Sequence, residues 1–247
     1  SYEATSFLLK QMGVDEDFKS SNGKIRYTHK KLKDADIYFI ANRTDDTFQT
    51  KCSFRVEEGA IELWNPLTGE IRELPQYTRE KNYTSLPLTF DAFQSYFIVF
   101  DTTKTPTKNN NAKNFSNLVP LQQIEGEWNV SFDPRWGGPE DVVFPSLSDW
   151  SQNKDEGIKY YSGIATYKKI FNFNSKVNGE RIYLHLGEVK NIARVKLNEK
   201  ELGVVWTAPW QVEITDVLTE GENHLEIDVA NLWINRLIGD EHYPDDG

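Results

Sequence analysis

The chain has 247 residues, enough for two modest domains. Its 7 Trp, 11 Tyr and 14 Phe against a single Met weight it toward pleated sheets rather than helices. A net charge of −10 excludes a nucleic-acid footprint, which needs clustered basic residues; the pairs Lys30-Lys31 and Lys168-Lys169 are too small to supply one. No apolar run approaches the roughly 20 residues that span a bilayer. Cys52 is the sole cysteine. It can form no internal disulfide and, beside Phe54 in a strand-like stretch, reads as a buried, inert thiol. The chain starts at Ser1 without a signal-peptide pattern, so a processed or excised piece of something longer is expected.

In chain order, Phe7, Leu8, Gln11 and Met12 follow helical spacing, and Gly13 sits where a helix stops. One short helix is expected there. From Ile25 the period changes to two. Ile37, Phe39 and Ala41 share one face of a strand while Tyr38 and Ile40 take the other, the mark of a central strand. Phe54 and Val56 alternate next. Ile61 and Leu63 run into Asn65-Pro66 with Gly69 beyond, which reads as a hairpin. Leu86, Leu88 and Phe90 alternate again, and Tyr96 to Phe100 closes the first unit.

Residues 102–117, TTKTPTKNNNAKNFSN, have almost no large apolar groups to offset their ordering entropy. The expected division is a β-sandwich with its N-terminal helix over 1–105, a linker over 106–117 and a second domain over 118–247. Were the linker docked, Phe115 and Leu118 would tuck it against the second sandwich.

Beyond it, Val177-Asn178-Gly179-Glu180 has the chemistry of a two-residue hairpin turn joining Tyr167–Phe173 to Arg181–Leu186. Val195 and Leu197 precede a second turn at Asn198–Lys200. Leu202, Val204 and Trp206 return from it on one face. Leu225, Ile227 and Val229 share a face of the last strand. Many strands with turns every ten or so residues predict a sandwich or jelly roll, and no helices alternate with them as a barrel would require.

The second half resembles the galactose-binding-like jelly roll that serves as the sugar-binding domain of family 2 glycoside hydrolases. The resemblance rests on Tyr161–Lys168 (YSGIATYK), Leu184–Asn198 (LHLGEVKNIARVKLN), Leu202–Ile214 (LGVVWTAPWQVEI) and Thr215–Asn231 (TDVLTEGENHLEIDVAN). Asn198-Glu199 stands where that family has Asn-Gly, which predicts a looser turn. A narrower resemblance, to the C-terminal region of large bacterial α-L-rhamnosidases, is carried by Asp36–Asn42 (DIYFIAN), Ile61–Gly69 (IELWNPLTG), Phe97–Phe100 (FIVF) and Asn231–Asp240 (NLWINRLIGD). It implies an all-β chain of two β-sandwich domains, a catalytic barrel elsewhere in the same polypeptide, and secretion or periplasmic export. It also implies that residues 1–13 belong to the end of the barrel region. The family's acid and base carboxylates lie on the barrel, so no residue here inherits a catalytic role.

Chemistry within the chain is sparse. Thirty-eight acids guarantee carboxyl pairs by chance, and Asp240, Glu241, Asp245 and Asp246 read as a solvated tail. His29, His185, His224 and His242 are scattered without metal-ligand spacing, and no cofactor is implied. A structural calcium ion, common in such jelly rolls, remains a candidate without a readable motif. Asn-x-Ser/Thr triplets at Asn42, Asn82, Asn114 and Asn129 are expected by chance in an Asn-rich chain.

The aromatics carry the functional expectation, because sugars present flat C–H faces rimmed by hydroxyls. Trp136, within Arg135-Trp136-Gly137-Gly138-Pro139, and Trp150 fall in loops. Trp206 and Trp210 flank Thr207-Ala208-Pro209 at one end of the sandwich, as core anchors or as stacking faces. Trp233, Asn235 and Arg236 follow the last strand, suited to sugar contact or to docking on a neighbouring domain. Two alternatives stand beside an accessory region of a glycosidase: a free-standing carbohydrate-binding module or adhesin, and a complete small hydrolase. The unpartnered apolar helix disfavours the former. The lack of a catalytic constellation disfavours the latter.

Overall fold

The computed structural model describes residues 2–109, 111–175 and 179–242. These fall into two compact units that divide between Val119 and Pro120. The first opens with α1 (Tyr2–Gln11), followed by β1 (Phe18–Ser20), β2 (Ile25–Lys31), β3 (Ala35–Asn42), β4 (Phe48–Phe54), β5 (Ala60–Trp64), β6 (Ile71–Glu73), β7 (Thr78–Glu80), β8 (Tyr83–Phe90) and β9 (Ser95–Asp101). The strands form a four-stranded sheet in the order β1-β4-β8-β7 and a five-stranded sheet in the order β2-β3-β9-β5-β6. All pairings are antiparallel.

Strict alternation builds this core. Tyr38 and Ile40 of β3, Cys52 and Phe54 of β4, Leu86, Leu88 and Phe90 of β8, and Ile98 and Phe100 of β9 are wholly buried. β3 lies between β2 and β9, the central place that its two apolar faces predict. Burial pushes the Cys52 thiol up to about 12, so it carries no thiolate at neutral pH. The β5–β6 hairpin closes as expected at Asn65, whose carbonyl accepts from Gly69 N and whose side chain accepts from Leu67 N.

α1 ends before Gly13, at φ +72, and leaves Phe7, Leu8 and Met12 more than half exposed. β1 and β7, three residues each, are too short to show a period and were not expected from the sequence; β6, equally short, is the return strand of the expected hairpin.

The segment expected to be a free linker is anchored to the first unit. The Asn114 amide is buried and donates to the carbonyls of Gln76 and Pro87, while its Oδ1 accepts from Gln76 N. Phe115 packs on Tyr96 and under the Arg72 guanidinium, not on the second sandwich, and Leu118 is exposed. A single asparagine satisfying three backbone groups substitutes here for the missing apolar anchors.

The second unit contains β10 (Trp128–Ser131), β11 (Val142–Phe144), α2 (Glu156–Lys159), β12 (Ile164–Phe173), β13 (Tyr183–His185), β14 (Ile192–Leu197), β15 (Lys200–Val205), β16 (Gln211–Glu213), β17 (Gly221–Ala230) and α3 (Ile234–Asp240). Its main sheet has the order β11-β10-β12-β17-β14-β15, with β13 and β16 paired separately.

Three expectations change here. β12 pairs with β10 and β17, whereas β13 pairs with β16, so the segment around Gly179 crosses between sheets rather than closing a hairpin; Val177 and Asn178 themselves lie outside the described residues. Local turn chemistry gives way to strand pairing over ten residues in β12–β17.

The turn at Asn198-Glu199 is tight rather than loose. Both residues have positive φ (+49 and +66), Leu197 pairs with Lys200, and the Asn198 side chain bonds Val217 O, Asn223 Oδ1 and His224 N. Those bonds hold Glu199 in a conformation otherwise left to glycine.

Finally, the register shifts between Val195 and Lys196, a bulge that reverses the alternation of β15. Val205 is therefore buried, while Val204 and Trp206 face solvent.

Candidate carbohydrate-contact site

Register places several connections at one end of the six-stranded sheet. Ser131 pairs with Thr166, Ile164 with Ala230, Ile192 with Ala230 on its other side, and Ala193 with Val205. The segments that follow Ser131, Val205 and Ala230 and that precede Ile164 thus emerge together. They carry Arg135, Trp136, Ser162, Trp206, Trp233 and Arg236.

Tyr161 organises this end from below. It is buried; its hydroxyl donates to Ile164 O and accepts from Asp133 N, tying the strand start to the 133–138 loop. Its carbonyl accepts from the Asn231 amide at 2.8 Å, and Asn231 Oδ1 accepts from Gly163 N at 3.0 Å. Ser162 Oγ donates to Leu232 O and accepts from Arg236 N, both at 3.2 Å. Two glycines allow the close approach. A Cβ on Gly138 would lie 2.5 Å from Phe132 Cβ and 2.9 Å from the Tyr161 ring, and one on Gly239 of α3 would meet Tyr160 at 2.7 Å.

The result is a depression of about 640 Å³ lined by Arg135, Trp136, Gly137, Ser162, Trp233 and Arg236, together with Pro134. Asp133 caps the short 3₁₀ turn Pro134–Trp136 through Arg135 N. Its carboxylate also holds Arg135 Nε and Nη2 at 3.1 and 2.7 Å. The same hydrogen bonds keep the Asp133 carboxyl below its ordinary range. Arg236 bonds Asp240 through Nε at 2.9 Å, one helical turn along α3. Trp136 and Trp233 are 63% and 75% exposed, so each keeps an indole face open to solvent.

Of the residues singled out from the sequence, the depression brings together Trp136, Trp233 and Arg236. Trp206 is exposed at the same end of the sheet but does not line it. Trp210 packs partly against the core, its carbonyl accepting from Leu186 N, and Asn235 is half-buried outside the lining. Trp150 is a core residue whose indole N–H donates to the Tyr167 hydroxyl. Arg135 and Ser162 were not singled out; the Arg-Trp-Gly-Gly-Pro run was a signal for the first, whereas Ser162 had none.

Among the described residues, no three or more His, Cys, Asp or Glu side chains converge to hold a metal ion. The carboxyls with displaced protonation, Asp101 beside Thr103, Asp133 beside Arg135 and Glu213 beside Arg181, are all held low. Among the described residues, no helix is long and apolar enough to cross a membrane.

A β-sandwich followed by a jelly roll with an arginine- and tryptophan-lined end is similar to the β-sandwich modules of glycoside hydrolases. Comparison with known proteins makes that closer. Residues 2–79 match the α-L-rhamnosidase family profile, and residues 150–244 match the profile described as glycosyl hydrolase 2 galactose-binding domain-like. The solved structure of a rhamnosidase from Novosphingobium sp. PP1Y aligns with 98% of this chain at a TM-score of 0.82 and 30% identity; the chain spans 23% of that protein. A curated protein of Formosa agariphila, provisionally named a beta-glucuronidase, is 43% identical over 123 residues. The match takes in 49% of this chain and 11% of that protein.

Proposed function

We propose that the chain is a non-catalytic accessory region of a secreted or periplasmic α-L-rhamnosidase-like glycoside hydrolase acting on plant or host glycans. Its catalytic barrel lies elsewhere in the same polypeptide, and its jelly roll contacts carbohydrate. The observation that carries this reading is the depression in which Trp136 and Trp233 offer stacking faces beside two guanidinium groups. Trp206, exposed at the same end of the sheet, is a further stacking face, and Trp210 and Asn235, both partly buried, are secondary candidates. The exposed apolar residues Phe7 and Leu8 of α1, with Met12 just beyond it, favour a buttress for a neighbouring domain over a free-standing binding module.

The test has two arms. The isolated chain is expected to leave aryl glycosides, α-L-rhamnoside included, unhydrolysed above buffer. Turnover that vanishes on replacing one carboxylate would overturn the non-catalytic reading. Sugar titration followed by NMR is expected to perturb the 133–138 and 231–236 segments, and Trp233→Ala to abolish that response with an unchanged melting temperature. Perturbations elsewhere, or a response indifferent to Trp233→Ala, would remove the site.

A further inference from the structure

We propose that the depression recognises a sugar bearing an oxyanion, a carboxylate or a sulfate ester, in preference to a neutral sugar. The inference rests on the reading of this depression as a sugar site and adds the class of ligand. Its basis is the polar inventory of the lining side chains, in which charged and neutral donors far outnumber the one acceptor.

Arg135 and Arg236 are guanidinium groups, and Trp136 and Trp233 have only their indole N–H to contribute. The remaining hydroxyl, Ser162 Oγ, gives its proton to Leu232 O and accepts from Arg236 N, which leaves it a single acceptor lone pair and no proton to donate. No carboxylate or amide side chain lines the depression. A neutral pyranose carries a rim of hydroxyls, each needing an acceptor as well as a donor. A carboxylate or sulfate accepts only, and a donor-dominated lining with two charged forks matches it.

The forks are aimed by their acidic partners. Asp133 takes Nε and Nη2 of Arg135, leaving Nη1, and Asp240 takes Nε of Arg236, leaving both terminal nitrogens. Arg236 Nη1 reaches over Gly137, lying 3.8 Å from where a Cβ there would stand, so a side chain at 137 would begin to fill the space the anion needs. The chain's overall charge of −10 opposes an anion at long range, but that repulsion is screened beyond about 8 Å at physiological salt. Inside that distance the two guanidinium groups decide. Both acidic partners offset part of their charge and the site is shallow, so affinity on the order of millimolar is expected.

The experiment is an NMR titration of the 247-residue chain with methyl β-D-glucuronide, glucose 6-sulfate and methyl β-D-glucoside. The glucuronide or the sulfate is expected to bind at least about tenfold more tightly than the glucoside, and which of them does so identifies the oxyanion. Raising salt about tenfold should weaken that anion several-fold and leave the glucoside unaffected. Arg236→Gln should bring the anion down to the affinity of the glucoside, and Arg236→Lys should restore only part of the preference, because an ammonium lacks the planar fork. If Arg236→Gln lowers the melting temperature, Arg135→Gln, a more exposed position, replaces it. Equal binding of all three sugars, abolished by Trp233→Ala, would overturn the anion preference and leave the sugar site standing. Absence of any response to all three would overturn both.

Discussion

The two units use aromatic side chains differently. In the first, Tyr38, Phe54 and Phe100 come from strands of facing sheets and meet edge-on or tilted, with centroids 4.9 to 6.0 Å apart. Among the described residues its exposed aromatics are scattered: Phe7 in α1, Tyr27 in β2, Trp64 in β5 and Phe93 in a turn. In the second, Phe132, Trp150 and Tyr161 form a comparable buried cluster at 4.9 to 5.9 Å. Three further tryptophans, Trp136, Trp206 and Trp233, are exposed at one end of one sheet. An aromatic on a strand is buried or exposed by alternation, but an aromatic on a connection goes where the loop carries it. The first unit is thus organised around its core, and the second around a core and a surface.

The contrast breaks most sharply in the second core. Trp150→Ala removes a buried indole and its bond to the Tyr167 hydroxyl, and should destabilise by about 3–5 kcal/mol, seen in denaturant unfolding. A loss no larger than that expected of Trp233→Ala, roughly 0.5 kcal/mol or less for an exposed site, would erase the division between core and surface tryptophans.

Gly138→Ala is expected to cost about 1–3 kcal/mol, since its Cβ would press on Phe132 and Tyr161. The variant should also blunt sugar-dependent shifts at Trp136, because Tyr161 couples the core to the 133–138 loop. Loss of stability with unaltered sugar response would show the two to be independent.

The smallest effect is electrostatic. The Arg181 fork, with help from the Thr215 hydroxyl, holds the Glu213 carboxyl below its ordinary 4.5 across the β13–β16 pair. A depressed carboxyl contributes stability that is complete above its unfolded value and is lost as pH falls through the folded one. Stability should therefore decline below about pH 4.5 by this route, and Glu213→Gln should remove that share of the acid sensitivity. At neutral pH the exposed pair contributes under about 1 kcal/mol, so the variant should unfold near the wild-type midpoint. An unchanged acid profile would assign the decline to other carboxyls.

Much of the fold was legible because alternation is a local property. The sequence by itself determined the two-unit all-β plan, the central place of β3 and the inward faces of β4, β8 and β17, each written as apolar residues two apart. Tertiary structure decided what depends on partners distant in sequence. Asn114 docks a segment whose composition reads as free chain, because Gln76 and Pro87 present it with backbone groups. The bulge after Val195 sends Val204 and Trp206 outward, a matter of cross-strand register that no count along β15 reveals. The site divides the same way. Tryptophans and arginines in loops could be picked out one by one, but their convergence required β10, β12 and β17 to pair, and Tyr161 and Asn231 to bind segments some seventy residues apart. Side-chain chemistry resides in the sequence; which side chains share a depression is set by sheet order and by the hydrogen bonds of a few buried polar groups.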